Sequence, residues 1–282
     1  MKKNYFIPLT LFTQFLTLNI WAQNSTVPSL KKVMIVIFEN TNYKDAVKQP
    51  FMGQLAKEGA LFTNYKTITH PSQGNYIALV SGSQHGVNGD GNHDINARNL
   101  ADLLEEKNIK WKVYAEKYPG RCFTGKSSGT YVRKHNPLIS FLNVQKNTER
   151  CAKIVNATDL DLDIKQGRLP DFSLYIPDMN NDGHDTGVEY ADKWYKSKFA
   201  PLLKNDAFMR NMLLITTFDE SKSSLSSKVY TSFYGYNIKV GSKSDSKYNH
   251  YNLLRTLELG FGLNNFGLND IKAKAITDIW KP

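Results

Sequence analysis

The stretch VMIVIFEN, residues 33–40, decides how this chain is read. Six apolar residues run without interruption, four of them β-branched, and end in Glu39 and Asn40. A run this short and apolar on both faces is expected of a buried strand in a parallel sheet. Two further runs repeat the pattern. FSLYIP at 172–177 leads into Asp178 and on to His184 and Asp185, and LLITTF at 213–218 leads into Asp219 and Glu220. Ligands of open α/β sheets bind beyond the carboxyl ends of the strands. Three strand ends that carry carboxylates or imidazole therefore point to one shared site, and their oxygen-rich chemistry points to a metal.

Around this frame, strand and helix signals alternate without an internal repeat. Helices are expected at 52–58, 75–81, 96–107 and 188–203, with Leu100, Leu103 and Leu104 on one side of the third. Further strands are expected at 111–115 and about 229–240. A closing helix begins at His250 and carries Leu253, Leu254, Leu257 and Leu259 towards the sheet. The fold class is α/β, with a central mostly parallel sheet and helices on both faces. Between 116 and 167 the pattern weakens and Gly, Lys, Ser and Asn dominate. This segment is expected to be an irregular, substrate-facing insertion within a single domain over 23–282. Inside it, DLDLD at 159–163 lacks the glycine and terminal glutamate of a calcium loop, and is expected to be a half-buried strand or short amphipathic turn.

Residues 1–22 start with Lys2 and Lys3, continue through an apolar stretch and reach small Ala22, the pattern of a secretory signal peptide. No other stretch approaches the roughly 20 apolar residues that span a bilayer. The mature chain is expected to be secreted or periplasmic, with no membrane span. The full sequence carries a formal charge of +10, about +8 once Lys2 and Lys3 are removed, and it comes from scattered lysines, without a basic helix or an arginine-rich run. That suits a solvated surface able to attract phosphate esters or lipid headgroups, and no nucleic-acid partner is expected. Cys122 and Cys151 are the two cysteines. In an exported chain they are expected to form a disulfide that pins the 116–167 segment and contributes about 3 kcal/mol. They lack the close pairing of zinc ligands.

THPSQGNY, residues 69–76, is a turn entering a helix. Ser72 there is either an N-cap or a nucleophile, placed where free N–H groups and the helix dipole favour an anionic phosphoryl group. The acidic strand ends favour the nucleophile, since a metal held by them would lower the hydroxyl pKa. Asn40 is either a ligand or the head of an Asx-turn. His135 reads on its own as a surface turn, and His250 as a helix cap. His184 follows a strand end. His70, His85 and His93 lie in polar loops and receive no role.

Taken in order, IFENTNY, THPSQGNYIALVSG, RKHNP, NNDGHD, TFDES and NHYNLLRTLE resemble the bacterial phosphoesterase family that includes acid phosphatases and phospholipases C, within the alkaline phosphatase superfamily. The resemblance covers 31–280 and implies an alkaline phosphatase-like fold. It implies that Glu39, Asn40, Asp219 and Glu220 ligate metal and that Ser72 becomes transiently phosphorylated. By the same resemblance Asn75 holds a phosphoryl oxygen, His184 and His250 serve catalysis, and His135, Lys134 and Asp182 contact substrate. Glu220 stands where two-zinc relatives have His, and Asn180 where they have an Asp ligand. One divalent ion, Mg²⁺, Ca²⁺, Mn²⁺ or Zn²⁺, is therefore expected. Gly74 replaces a common proline, a change expected to loosen the approach to Ser72.

The implied activity is an exported, acid phosphatase-like phosphomonoesterase acting on a small phosphate ester or a phospholipid headgroup. The nearest alternative is a phospholipase C or another phosphodiesterase. The alternative of another class is a catalytically silent phosphate-binding protein, which would not need Ser72 together with the carboxylates.

Overall fold

The apolar runs pair side by side because each must bury both of its faces. A computed structural model describes residue 1 and residues 27–282. The expected signal peptide, Met1 apart, lies outside the described residues. In chain order the strands are β1 Lys32–Phe38, β2 Ala60–Phe62, β3 Tyr65–Lys66, β4 Trp111–Ala115, β5 Ser127–Ser128, β6 Tyr131–Val132, β7 Ile154–Asn156, β8 Phe172–Ile176, β9 Met212–Phe218, β10 Thr231–Gly235, β11 Ser242–Ser244 and β12 Tyr248–Asn249. Eight of them form one sheet in the order β11-β2-β10-β9-β1-β8-β4-β7. β10 is antiparallel to both its neighbours, and every other pairing in this sheet is parallel.

Strand register places the site. β1 lies between β8 and β9, with Phe38 opposite Phe218 and Val36 opposite Tyr175. Glu39 and Asp219 therefore leave the same sheet edge side by side. The ladder continues past the strands: Asp219 N–H donates to the Phe38 carbonyl at 3.0 Å, and Glu39 N–H to the Asp182 carbonyl at 3.1 Å. Below this edge, Phe38 packs edge-on against Tyr195 at 5.0 Å, and Tyr195 against Phe199 at 4.8 Å, both from the helix Val188–Leu203. Asp192 of that helix accepts from the N–H groups of Phe51 and Met52 at 3.0 and 2.8 Å, which ties down the start of the helix Pro50–Glu58.

The helix Leu100–Glu106 starts later than its apolar spacing suggests, because Asn99 and Asp102 close a reciprocal capping box there. The expected strand at 229–240 is confined to Thr231–Gly235. The irregular insertion expected over 116–167 is regular at its C-terminal end. β7 closes one edge of the main sheet, parallel to β4, and the helix Asp159–Lys165 follows it. DLDLD is thus helical, with Leu160, Asp163 and Ile164 buried at helical spacing. A three-residue strand and a seven-residue helix are too short to impose a readable period. Buried Asp163 accepts from Tyr114 at 2.7 Å and Lys112 at 2.5 Å, so its acid faces inward. Cys122 and Cys151 are joined in a disulfide with Cα atoms 5.4 Å apart. Among the described residues no helix is long and apolar enough to cross a membrane.

Candidate active site

Two adjacent strand ends and one helix start meet at a single oxygen cluster. After β1, Asn40 adopts a positive φ of 36°, a conformation that asparagine tolerates better than most residues. Its N–H then reaches Asp219 Oδ1 at 3.3 Å. Ser72 stands at the start of the helix Gln73–Ser81. Its Oγ lies 3.0 Å from Glu220 Oε1, 3.1 Å from Glu39 Oε2 and 3.4 Å from Asn40 Oδ1. A hydroxyl carries one proton and can satisfy one acceptor. Turned over, the Asn40 amide would donate to Glu39 Oε2 and Glu220 Oε1 at 3.2 and 3.1 Å. Asp219 Oδ2 is buried with no hydrogen-bond donor.

Burial governs the charge state of this cluster. It pushes the Glu39 carboxyl well above the usual range, helped by the charges of Asp219 and Asp182. Asp219 is raised in the same way, by burial and then by Glu220. Burial also raises Glu220, against the opposing pull of His70, whose Nδ1 contacts Glu220 Oε2. Carboxylates crowded out of water repel one another unless protons or a cation intervene. Glu39, Asp219 and Glu220, with Asn40 and the Ser72 hydroxyl, make a set of hard oxygen donors that could hold one divalent ion. Among the described residues no group of three or more His, Cys, Asp or Glu is arranged to hold a metal ion by itself.

The loop that delivers Ser72 is held by Asn75. Its Oδ1 accepts from the N–H groups of Ile68 and Thr69 at 2.9 and 3.0 Å, and its Nδ2 donates to the Thr69 carbonyl at 2.8 Å. The role expected for Asn75 on a phosphoryl oxygen is left to the one amide N–H these bonds do not use. Gly74 does not loosen the approach. A Cβ there would come within 2.6 Å of Thr69 Cγ2 and 2.8 Å of Gln84 Nε2, so the glycine permits close packing.

The histidines divide by position. His135 is buried between two acids, its Nε2 3.1 Å from Glu39 Oε1 and its Nδ1 3.2 Å from Asp182 Oδ2. Asp182 thus faces His135, and burial raises it to about 8. Lys134 reaches Asp90 Oδ2 at 2.7 Å, while Asp90 Oδ1 accepts from Gln73 N–H at 3.1 Å, next to Ser72. His184 opens to solvent, with its side chain 32% exposed, its Nδ1 2.7 Å from Asp185 and its ring 6.5 Å from that of His135. His250 is buried. Its Nε2–H donates to the Asp219 carbonyl at 3.1 Å and its Nδ1 accepts from Tyr65 at 3.2 Å, so it holds a strand end. Burial lowers its pKa to about 4, which keeps this neutral tautomer. Sequence reasoning missed His70 and Tyr76. Tyr76 donates to Glu39 Oε1 at 2.5 Å and stands four residues after Ser72, on the same helical face, a spacing that could have revealed it.

The chain is 38% identical to a probable acid phosphatase of Kluyveromyces lactis over 261 residues, covering 88% of this chain and 62% of that one. It spans about three fifths of the length of the fungal relatives it matches. It is 32% identical to a phosphatidylinositol-3-phosphatase of Mycobacterium tuberculosis, covering 91% of this chain and 85% of the relative. A solved alkaline phosphatase superfamily protein from Vibrio parahaemolyticus superposes with a TM-score of 0.63 at 13% identity, over 89% of this chain and 72% of its own, and shares the fold. The fold is alkaline phosphatase-like. The profile of the phosphoesterase family matches residues 19–264, and with the mycobacterial relative spanned almost whole, the chain belongs to that family.

Proposed function

We propose that the chain is an exported phosphomonoesterase that works through Ser72 with one divalent cation. The observation that carries this is the Ser72 hydroxyl facing Glu39, Asn40 and Glu220 at 3.0 to 3.4 Å from two neighbouring strand ends. A serine meant only to cap a helix has no use for two buried carboxylates beside its hydroxyl. Glu39, Asn40, Asp219, Glu220 and Ser72 would hold the ion. When bound, it supplies Lewis-acid stabilisation of the serine oxyanion and of a phosphoryl oxygen.

The chain's own residues carry the remaining steps. Ser72 gives its proton to a carboxylate it faces, Glu220 or Glu39, and its Oγ forms the new bond to phosphorus as the ester P–O bond breaks. We assign His184, on the open side, to protonate the departing alcohol. Water then attacks the phosphoserine, freeing phosphate and restoring the hydroxyl. Both relatives described above carry phosphatase names, which favours a monoester over a diester. The mycobacterial relative's name extends the candidate substrates to phosphorylated inositol lipid headgroups. The disulfide supports an oxidising compartment.

The test is hydrolysis of p-nitrophenyl phosphate and of its bis-ester, with bound metal measured alongside. Ser72→Ala should lose a factor on the order of 10³ or more in turnover while retaining metal and fold. Asp219→Ala should lose metal and activity together. Near-normal turnover by metal-replete Ser72→Ala would rule out the phosphoserine route. A protein that binds phosphate but hydrolyses neither ester is the silent binder instead.

A further inference from the structure

We propose that Tyr76 is a positioning residue: with His135, it fixes one oxygen of Glu39 so that the other faces Ser72 and the cation. The inference rests on the cation-dependent reading given above. A glutamate carboxylate turns about its last torsion with little preference, so an unheld Glu39 could present either oxygen, or an oblique face, to the cluster. Here its two oxygens have different company. Oε1 takes the Tyr76 hydroxyl at 2.5 Å and has His135 Nε2 at 3.1 Å. Oε2 is left to face Ser72 Oγ at 3.1 Å.

The brace is itself fixed. The Tyr76 ring lies flat on the His135 imidazole, with centroids 5.3 Å apart and planes inclined by 11°. The far nitrogen of that imidazole sits 3.2 Å from Asp182 Oδ2. Tyr76, His135, Asp182 and Glu39 are each at most 1% exposed, so no water competes for these contacts. The same helix supplies both parts: Ser72 starts it and Tyr76 follows one turn later. Any shift of this helix moves nucleophile and brace together. Groups that orient a metal ligand from behind commonly change affinity or rate by about 10- to 100-fold when removed.

Tyr76→Phe keeps the stacked ring and deletes the hydroxyl alone. Free Mn²⁺ is titrated against the full chain and followed by its electron paramagnetic resonance signal. The dissociation constant is expected to rise at least about 10-fold, and kcat for p-nitrophenyl phosphate at saturating Mn²⁺ to fall while KM holds. In a Glu39→Gln background the same change should add no further loss, whereas a merely structural role would add its loss again. If Tyr76→Phe does not fold, His135→Gln removes the other contact to Oε1 and should raise the Mn²⁺ dissociation constant in the same way. Parent-like Mn²⁺ affinity and kcat in folded Tyr76→Phe, or additive losses in the double variant, would overturn the assignment. A parent that binds Mn²⁺ but cleaves no ester overturns the proposed activity, and the ratio of Mn²⁺ affinities still judges the brace.

Discussion

At the scale of single residues, Gly74 is held to glycine by its neighbours. Any larger residue would press on Thr69, Gln84 and the Val87 carbonyl, which a Cβ would meet at 2.6, 2.8 and 3.2 Å. Thr69 has little freedom to retreat, because Asn75 grips both its N–H and its carbonyl. Gly74→Ala should therefore cost about 1–3 kcal/mol of stability in urea unfolding, the range for overpacked interiors, and should lower kcat by displacing the loop of Ser72. Parent stability together with parent kcat would show that the loop yields freely. The residues legible in the sequence share one property: Glu39, Asn40, Asp219 and Glu220 each follow a run whose strand character is local. His70 is illegible for the opposite reason. Its meaning comes from Glu220, 150 positions away and on another element. The chain around His250 leads to the site, yet its ring donates to the backbone carbonyl of Asp219 and not to a side chain of the cluster.

At the scale of elements, the closing helix His250–Phe261 joins the strand end at its first residue to a buried acid near its last. Glu258 is fully buried. Arg255 Nη1 lies 3.0 Å from its Oε2, and its Oε1 has no hydrogen-bond donor. Burial, reinforced by Asp270, pushes its carboxyl up to about 8. The sign of the consequence is fixed by linkage. A carboxyl raised in the folded state is neutral there while its unfolded counterpart ionises at about 4.3, so its contribution is complete below that pH. It is lost as pH climbs towards about 8, at roughly 1.4 kcal/mol for each pH unit crossed. Glu258→Gln should flatten the fall in melting temperature between about pH 5 and about pH 8.5. An unchanged fall in thermal unfolding would place the pH dependence elsewhere. This helix is legible because Leu253, Leu254 and Leu257 repeat at helical spacing, all of them fully buried. The helix Asp159–Lys165 is not, because its alternating acids imitate the two-residue period of a strand while the buried set is Leu160, Asp163 and Ile164.

At the scale of the molecule, the proposed catalytic cluster and the disulfide occupy different parts of the sheet. The oxygen cluster sits at the ends of the central strands β1 and β9, whereas the disulfide lies towards the far edge, with Cys151 shortly before the edge strand β7. His135 belongs to the same stretch of chain as Cys122, but it has its own anchors. Arg133 donates to the Thr124 carbonyl at 2.7 Å and the His93 carbonyl at 2.8 Å, and reaches Asp94 at 2.5 Å. The bridge closes a separation of 29 residues, so loop-closure entropy assigns it about 3.5 kcal/mol. The Cys122→Ser, Cys151→Ser double variant should accordingly unfold at lower urea by about that amount, with kcat within a few-fold of the parent wherever it remains folded. Unfolding and turnover measured on the same preparation separate the two tasks. A large loss of kcat at parent stability would mean that the bridge positions His135, and that the Arg133 anchors do not hold the imidazole by themselves.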